Sequence, residues 1–244
     1  MARMGPGELL TVVSQWTRLF YTCFKYEAVR RVTDTIDSDE GNLIQEVSRL
    51  LGRALVREFG LEVTVRGTEH VQDLHRYCFA ATHASYLDWF VILAYSPTAV
   101  RLVARKEIAR FPVVGAYLQD QAILIDRSRG AEAREKLAAS VDRAMDRDDR
   151  YPVLIFAEGT RSPDGDLQPF KRGGLSVMIE RGLKVVPLVL KGTFDILPRH
   201  AYYLQERRPI HFEICPPVDP ADFPDDRACI AEVERRVHEV WERG

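Results

Sequence analysis

The sequence predicts an α/β fold, in which a central mixed sheet is flanked by helices and preceded by amphipathic helices at the N terminus. The first observation is that apolar segments of strand length alternate with segments of helical periodicity over most of the chain. The second is that two segments of helical periodicity precede the first strand. The third is the length, because 244 residues suffice for one sizeable α/β domain with a small appendage.

The N-terminal segment is predicted to form two amphipathic helices, over residues 7–31 and 42–59, joined by a polar hinge at 34–40. Apolar residues of the first helix recur at three- and four-residue steps: Leu9, Val12, Val13, Trp16, Leu19, Phe20, Cys23 and Phe24. A single charge, Arg18, interrupts this stretch. A helix of this composition lies in a membrane interface or packs on the protein's own core, and periodicity does not separate the two.

The α/β domain is predicted to occupy residues 60–244. Its strands are expected at residues 61–65, 77–82, 100–104, 122–126, 152–156, 184–190 and 210–214. Its helices are expected at residues 86–95, 113–119, 131–147, 172–181 and 226–242. This succession of strands and helices argues for a sheet that helices cover.

Composition argues against several classes of protein. Charged residues make up 29% of the chain, and its apolar content is ordinary, so it is not a disordered chain. The net charge of −2 argues against non-specific nucleic-acid binding. The four cysteines lie far apart, which suits a reducing compartment rather than a zinc ribbon or a disulfide framework. No apolar run approaches the roughly eighteen residues that span a bilayer, and neither a signal peptide nor a metal-ligand spacing is evident.

Residues 83–88 are the strongest candidate for catalysis. His83 follows an apolar strand and Asp88 stands five positions later, and imidazole is the side chain best suited to take a proton near neutral pH. Positions five apart do not share a helix face, so we predict His83 on the turn before a helix and Asp88 in its first turn. The alternative is a plain helix start, because Ser85 and Asp88 have the spacing of a capping box.

Residues 156–162 form a second candidate site after another apolar strand. Gly159 lets the backbone turn tightly, and Arg161 offers a planar fork of donors for a phosphate. The alternative is an ordinary turn with a solvated arginine. Between the two sites, a further block comprises Lys106, Glu107, Pro112, Gly115, Asp126 and Arg127. A short strand at 185–188 forms a fourth block.

In this order, the four blocks resemble the lysophosphatidic acid acyltransferase family (1-acyl-glycerol-3-phosphate acyltransferases) within the glycerolipid acyltransferases. The likeness runs from about Leu61 to Leu190, a little over half of the chain. Thr82 stands where the family usually has asparagine, and Ala157 stands where it usually has proline. Neither departure removes a proposed chemical group.

The resemblance implies acyl transfer from a thioester, either acyl-CoA or an acyl-carrier protein, to the free hydroxyl of lysophosphatidic acid. The product would be phosphatidic acid. A thioester is already activated, so the reaction needs no cofactor, no metal and no covalent enzyme intermediate. His83 would act as the general base and Asp88 would orient it. The implied substrate-binding residues are Lys106, Glu158, Gly159, Thr160 and Arg161.

The same resemblance implies a membrane lipid surface, a lysophospholipid acceptor and an acyl thioester donor as partners. Residues 1–59 would be membrane-associating helices, because many family members carry hydrophobic N-terminal helices that touch the bilayer. The protein would lie on the cytoplasmic face of the cell membrane as a peripheral or monotopic protein. Three alternatives stay open: acylation of glycerol-3-phosphate, another lysophospholipid or a lyso-aminolipid; a catalytically silent lipid-binding protein; and an esterase, for which no nucleophile elbow is found.

Overall fold

A computed structural model describes residues 5–36, 42–110, 122–126, 128, 130–149, 151–201, 203–205 and 207–243. Within them, one sheet contains the strands β1 (Val63–Arg66), β2 (Tyr77–Ala81), β3 (Arg101–Arg105), β4 (Ile123–Ile125), β5 (Val153–Phe156), β6 (Lys184–Lys191) and β7 (Ile210–Ile214). The α-helices are α1 (Pro6–Ile36), α2 (Asn42–Glu58), α3 (Leu87–Tyr95), α4 (Ala131–Arg147), α5 (Arg172–Glu180), α6 (Thr193–Ile196) and α7 (Asp226–Arg243). Short 3-10 helices occupy Thr68–Val71, Lys106–Arg110 and Pro220–Asp222.

The sheet is mixed, as the sequence predicts, with the strand order β1-β7-β6-β2-β5-β3-β4. Strands β6, β2, β5, β3 and β4 are parallel to one another, whereas β7 runs antiparallel to β6 and pairs in parallel with β1. Ala81 of β2 stands opposite Phe156 on one side and Leu188 on the other. The carboxyl ends of three neighbouring strands therefore meet at one edge of the sheet, which we call the carboxyl edge.

Strand β2 lies at the centre of the core and is buried along its whole length. Cys78 and Ala80 pack on the side of α4, α5 and α7, whereas Tyr77, Phe79 and Ala81 pack on the side of α3. This division follows from the two-residue period of a strand, which sends successive side chains to opposite faces. Packing on both faces gives a rigid support for the residues that follow β2.

The N-terminal helices add two layers outside α3, since α2 packs on α3 and α1 packs on α2. One side of α1 belongs to a small apolar cluster of Leu19, Cys23, Tyr26, Leu51, Leu55, Phe59 and Phe90. Other positions of α1 leave large apolar side chains exposed: Leu9, Leu10, Val13, Trp16, Phe20, Tyr21, Phe24 and Val29. One side of the helix thus packs on the protein, and the rest presents an apolar surface, which we call the α1 apolar face.

The element boundaries differ from the predictions in a few places. Helix α1 continues to Ile36, so the predicted hinge at 34–40 overlaps the helix, and residues 37–41 lie outside the described part. The helix predicted at 113–119 lies outside it as well. Helix α6 was not predicted, because four residues are too few to show a helical period. In the described part of the chain, none of the helices has the length and apolar character needed to cross a membrane.

Candidate active site

His83 and Asp88 meet at the carboxyl edge, on the turn between β2 and α3. His83 is the second residue after β2, and Asp88 lies in the first turn of α3. The chain folds back between them, so that His83 Nδ1 lies 2.9 Å from Asp88 Oδ2. This is the arrangement that the spacing of the two residues predicts.

Asp88 has no exposed surface, and both of its carboxylate oxygens accept hydrogen bonds. Besides the ring of His83, Oδ2 accepts the main-chain N–H groups of Ala84 at 2.8 Å and Ser85 at 2.9 Å. Oδ1 accepts the hydroxyl of Thr193 at 2.5 Å. Because Asp88 holds the start of α3 and the histidine at once, the capping and catalytic interpretations of this motif are compatible.

The surroundings of His83 leave one ring nitrogen available for chemistry. A carboxylate oxygen only accepts hydrogen bonds, so we assign the ring proton to Nδ1, which leaves Nε2 as the proton acceptor. The ring stacks on Phe156, with 3.7 Å between the ring centroids and 13° between the planes. The side chain remains 17% exposed, whereas that of Asp88 is fully buried. The imidazole is therefore open to solvent, whereas the carboxylate that holds it is buried.

Glu158 holds the main chain of the site together. One carboxylate oxygen accepts the N–H of His83 at 2.6 Å, and the other accepts the N–H of Gln168 at 3.2 Å. The residue is 2% exposed, and this burial raises the pKa of the Glu158 carboxyl to about 7, although its two main-chain donors act in the opposite direction. On the other side of the histidine, the N–H of Ser162 donates to the carbonyl of His83 at 2.8 Å. The carboxylate of Glu158 thus positions His83 by binding the main chain of His83.

Arg161 lies on the turn that follows β5, close to the start of α3. Gly159 opens this turn with a φ of 73°, a left-handed conformation that favours glycine, and Thr160 follows it. The guanidinium carbon of Arg161 lies 3.7 Å from the centroid of the Tyr86 ring, and Nη1 donates to the carbonyl of Arg199 at 3.3 Å. Partial burial lowers the pKa of Arg161. The guanidinium is thereby held over an aromatic ring next to the His83–Asp88 turn.

Comparison with known proteins identifies the family to which this arrangement belongs. A family profile described as acyltransferase matches residues 62–191, more than half of the chain. The chain belongs to the acyltransferase family. The matched segment contains His83, Asp88 and Arg161, so the resemblance in the four sequence blocks is confirmed.

Individual relatives of this acyltransferase carry more specific names. The 1-acyl-sn-glycerol-3-phosphate acyltransferase of Limnanthes douglasii is 29% identical over 204 residues, covering 83% of this chain and 69% of that protein. The Salmonella typhimurium protein of the same name is 26% identical over 189 residues, covering 75% of each chain. The crystal structure of the 1-acyl-sn-glycerophosphate acyltransferase PlsC from Thermotoga maritima superimposes with a TM-score of 0.84 at 21% identity, covering 96% of this chain and 95% of that one, which shows a shared fold.

Lys106, which the sequence predicts to bind substrate, also lies at the carboxyl edge of the acyltransferase, but its ammonium group is paired with a carboxylate. It follows β3, two strands away from β2, at the same carboxyl edge. Its ammonium group forms an ion pair and hydrogen bond with Asp126, which also accepts from Ser128. These partners hold the pKa of Asp126 well below its usual range. Within the described residues, the structure joins Lys106 to Asp126 rather than to His83 or Arg161.

Several residues of the acyltransferase site were missed as site residues from the sequence. Thr193 binds Asp88, Phe156 stacks on His83, and Tyr86 supports Arg161. The position of Thr193 after β6 could have identified it. Polar residues that follow neighbouring parallel strands come together at one edge of the sheet. Phe156 and Tyr86 lie inside the two candidate segments, 156–162 and 83–88, but nothing in their spacing indicates a partner.

Proposed function

We propose that this acyltransferase moves a fatty acyl group from a thioester to the free hydroxyl of lysophosphatidic acid and so forms phosphatidic acid. The observation that carries the proposal is the oriented His83–Asp88 pair with the guanidinium of Arg161 beside it. An oriented imidazole suits proton removal from a hydroxyl, and a guanidinium suits a phosphate. The names of the relatives from Limnanthes and Salmonella support the choice of acceptor.

In the first step, His83 Nε2 takes the proton of the acceptor hydroxyl while the oxygen attacks the thioester carbonyl carbon. The ring then carries a positive charge, and the carboxylate of Asp88 stabilises it across the 2.9 Å hydrogen bond. The stack on Phe156 and the hydrogen bonds of Asp88 keep the imidazole oriented throughout.

In the second step, the tetrahedral intermediate collapses and the carbon–sulfur bond breaks. The departing thiolate takes the proton from His83 Nε2, which returns the ring to its neutral form. The donor is acyl-CoA or an acyl-carrier protein, used as a co-substrate, and the acyl group passes directly between donor and acceptor. We propose that no cofactor, metal ion or covalent enzyme intermediate takes part.

An acceptor screen tests this function. Purified protein is given one labelled acyl-CoA and a panel of acceptors, and the labelled lipids are separated and identified. We expect lysophosphatidic acid to be acylated with the highest kcat/KM among lysophosphatidic acid, glycerol-3-phosphate, other lysophospholipids and a lyso-aminolipid. A higher kcat/KM for another acceptor would identify that acceptor as the substrate instead. Lipid binding that needs no thioester and yields no product would favour a catalytically silent lipid-binding protein.

Replacement of Arg161 with lysine should raise the apparent KM for a phosphate-bearing acceptor about tenfold and leave the donor KM nearly unchanged. Lysine keeps the charge, but it loses the planar fork and the contact of the guanidinium with the Tyr86 ring. Steady-state kinetics with each substrate varied in turn provide the measurement. The control is Arg134→Lys, since Arg134 on α4 pairs with Glu180 on the opposite face of the sheet. A rise confined to the donor KM would show that Arg161 binds the thioester rather than the acceptor.

We propose that the α1 apolar face inserts into a membrane surface and brings the active site to its lipid substrates. Trp16, Phe20 and Phe24 are exposed on it, with Trp16 and Phe20 in ring contact at 5.5 Å. Glu8 and Gln15 of the same helix bind the segment that follows α6, which also contacts the active-site turn. The proposed location is the cytoplasmic face of the cell membrane, as a peripheral or monotopic protein.

Changing Trp16, Phe20 and Phe24 together to serine should release the protein from anionic vesicles. Each aromatic side chain withdrawn from the interface loses about 1.5–3 kcal/mol of apolar transfer energy. Arg18 pairs with Glu58, so we expect membrane binding to depend on the aromatic residues rather than on this arginine. Vesicle co-sedimentation is the measurement, and activity on a water-soluble short-chain acceptor should survive better than activity on vesicle-bound substrate.

The matched control for the aromatic variant is a triple serine variant of α4. Glu135, Lys136 and Ala139 are exposed there, on the opposite side of the sheet, and their replacement should leave co-sedimentation unchanged. Point variants are preferable to removal of α1, because removal would also uncover Leu51 and Leu55. If the aromatic variant sediments like the unmodified protein, another surface meets the membrane.

A further inference from the structure

Arg199 lies across the active-site turn from Arg161, and the two residues are joined by reciprocal hydrogen bonds. Arg161 Nη1 donates to the carbonyl of Arg199 at 3.3 Å, and Arg199 Nη1 donates to the carbonyl of Arg161 at 3.2 Å. Each guanidinium thus uses one donor on the neighbouring main chain, and Arg161 has a further hydrogen bond with Tyr86. A guanidinium carries five N–H donors, so most of the donors on both groups remain for a ligand.

The charges of this arginine pair are not balanced by an acid in direct contact. Among the residues that the structure describes, Arg161 and Arg199 form no ion pair with a carboxylate. Burial is the main factor that lowers the pKa of Arg161, and the positive charge of Arg199 lowers it further, whereas Tyr86 and the negative charge of Asp88 act in the opposite direction. Two guanidinium groups held together in a partly buried place repel each other, and an anion between them relieves that repulsion.

Two hydrogen bonds connect the segments that carry Arg161 and Arg199 to the turn between His83 and Asp88. The residue after Arg161, Ser162, donates its N–H to the carbonyl of His83 at 2.8 Å. The segment that carries Arg199 is held by the hydroxyl of Ser85, which donates to the carbonyl of Leu197 at 2.8 Å. Both guanidinium groups are therefore fixed relative to the imidazole, as a binding site for one end of the acceptor requires.

We propose that Arg199 and Arg161 together form a two-arginine site for a phosphate monoester dianion, and that Arg199 selects monoester acceptors over phosphodiester acceptors. This inference rests on the proposed function and names the feature of the acceptor that the site recognises. Tyr86 is the positioning residue of this site, because its ring holds the guanidinium of Arg161 in place.

The selectivity follows from charge and oxygen count. A phosphate monoester carries a charge of about −1.5 to −2 near neutral pH and has three terminal oxygens, which satisfy two guanidinium groups at once. A phosphodiester carries a single negative charge and has two terminal oxygens, so it engages one guanidinium and leaves the other without a counter-charge. The second arginine therefore favours lysophosphatidic acid over lysolipids whose phosphate bears a further head group.

The test uses Arg199→Gln and Arg199→Lys in the full chain, with Arg207→Gln as the matched control. Arg207 stands on the same connecting segment, but its guanidinium lies beside Gly60 at the end of α2. The kcat and KM values are measured for lysophosphatidic acid, for lysophosphatidylglycerol and for the acyl-CoA donor, and melting curves establish that each variant folds.

We expect Arg199→Gln to raise the KM for lysophosphatidic acid about tenfold or more, as the loss of a charged hydrogen-bonding partner predicts. The KM for the diester and the KM for the donor should change little, and Arg199→Lys should restore part of the loss. Arg207→Gln should behave like the unmodified protein. The ratio of kcat/KM between monoester and diester should therefore fall most in Arg199→Gln, less in Arg199→Lys and not at all in Arg207→Gln.

Two results would overturn the inference. One is an equal loss on both acceptors, which would make Arg199 structural, and the other is an unchanged KM for lysophosphatidic acid in Arg199→Gln. If the unmodified protein itself prefers the diester, the proposed function and this inference fail together. If the unmodified protein acylates lysophosphatidic acid and the variant matches it, this inference alone fails.

Discussion

Replacing His83 with alanine is expected to lower the rate of acyl transfer by about 10²–10⁴-fold, the usual contribution of a general base. The substitution removes the ring that lies between Asp88 and Phe156. It keeps the main-chain bonds of residue 83 to Glu158 and Ser162, so the turn and the fold should persist. The rate of thiol release from acyl-CoA with acceptor present gives the effect, and a melting curve checks the fold.

His75 provides a matched control for this experiment. Its Nδ1 lies 2.9 Å from Asp149 Oδ1, the same distance as in the catalytic pair, but the side chain is 56% exposed and precedes β2 at the opposite end of the strand. His75→Ala should therefore leave the rate unchanged. A rate close to normal in His83→Ala would remove the proposed mechanism, because the described site offers no second imidazole bonded to Asp88.

Changing Asp88 to asparagine should lower the rate by about 10²-fold or more, but less than His83→Ala does. The amide oxygen can take the place of Oδ2 and accept from His83, Ala84 and Ser85, while the amide nitrogen faces the hydroxyl of Thr193. The turn can then keep its shape, but the negative charge that stabilises the imidazolium is lost.

The measurement for Asp88→Asn is kcat at saturating donor and acceptor, compared with Asp149→Asn, which alters the exposed pair. The loss should appear in kcat rather than in either KM, since Asp88 is fully buried and acts through His83. An activity lower than that of His83→Ala, together with a lowered melting temperature, would show that the substitution damages the turn itself.

The sequence predicted the sheet well because the relevant patterns are local. Strand β7 was predicted at the residues it occupies, and β2, β5 and β6 were predicted to within one residue at each end. Apolar runs of strand length, separated by segments of helical periodicity, indicate where each strand lies in the sequence. The order β1-β7-β6-β2-β5-β3-β4 is absent from such patterns, because pairing between distant strands depends on the packing of the whole domain.

The candidate site was predictable where chemistry and spacing coincide. The fold-back of His83 onto Asp88 follows from a five-residue separation, and the sharp turn follows from Gly159. The roles of Thr193 and Arg199 do not follow from spacing, because both residues follow β6 and are far along the chain from His83. The catalytic and substrate-binding roles of the site residues stay predictions that the variants described above will test.

The contacts that hold His83 and Asp88 join residues far apart in the sequence, and this affects how the protein gains activity as it folds. The contact between His83 and Glu158 spans 75 residues, and the contact between Asp88 and Thr193 spans 105 residues. Contacts so far apart along the chain form only after large loops close, which makes them slow to appear. A nascent chain that ends before β6 contains both residues of the catalytic pair but lacks the contact from Thr193. Under the proposed mechanism, the base of the site is therefore fully held in place only once synthesis has passed most of the domain.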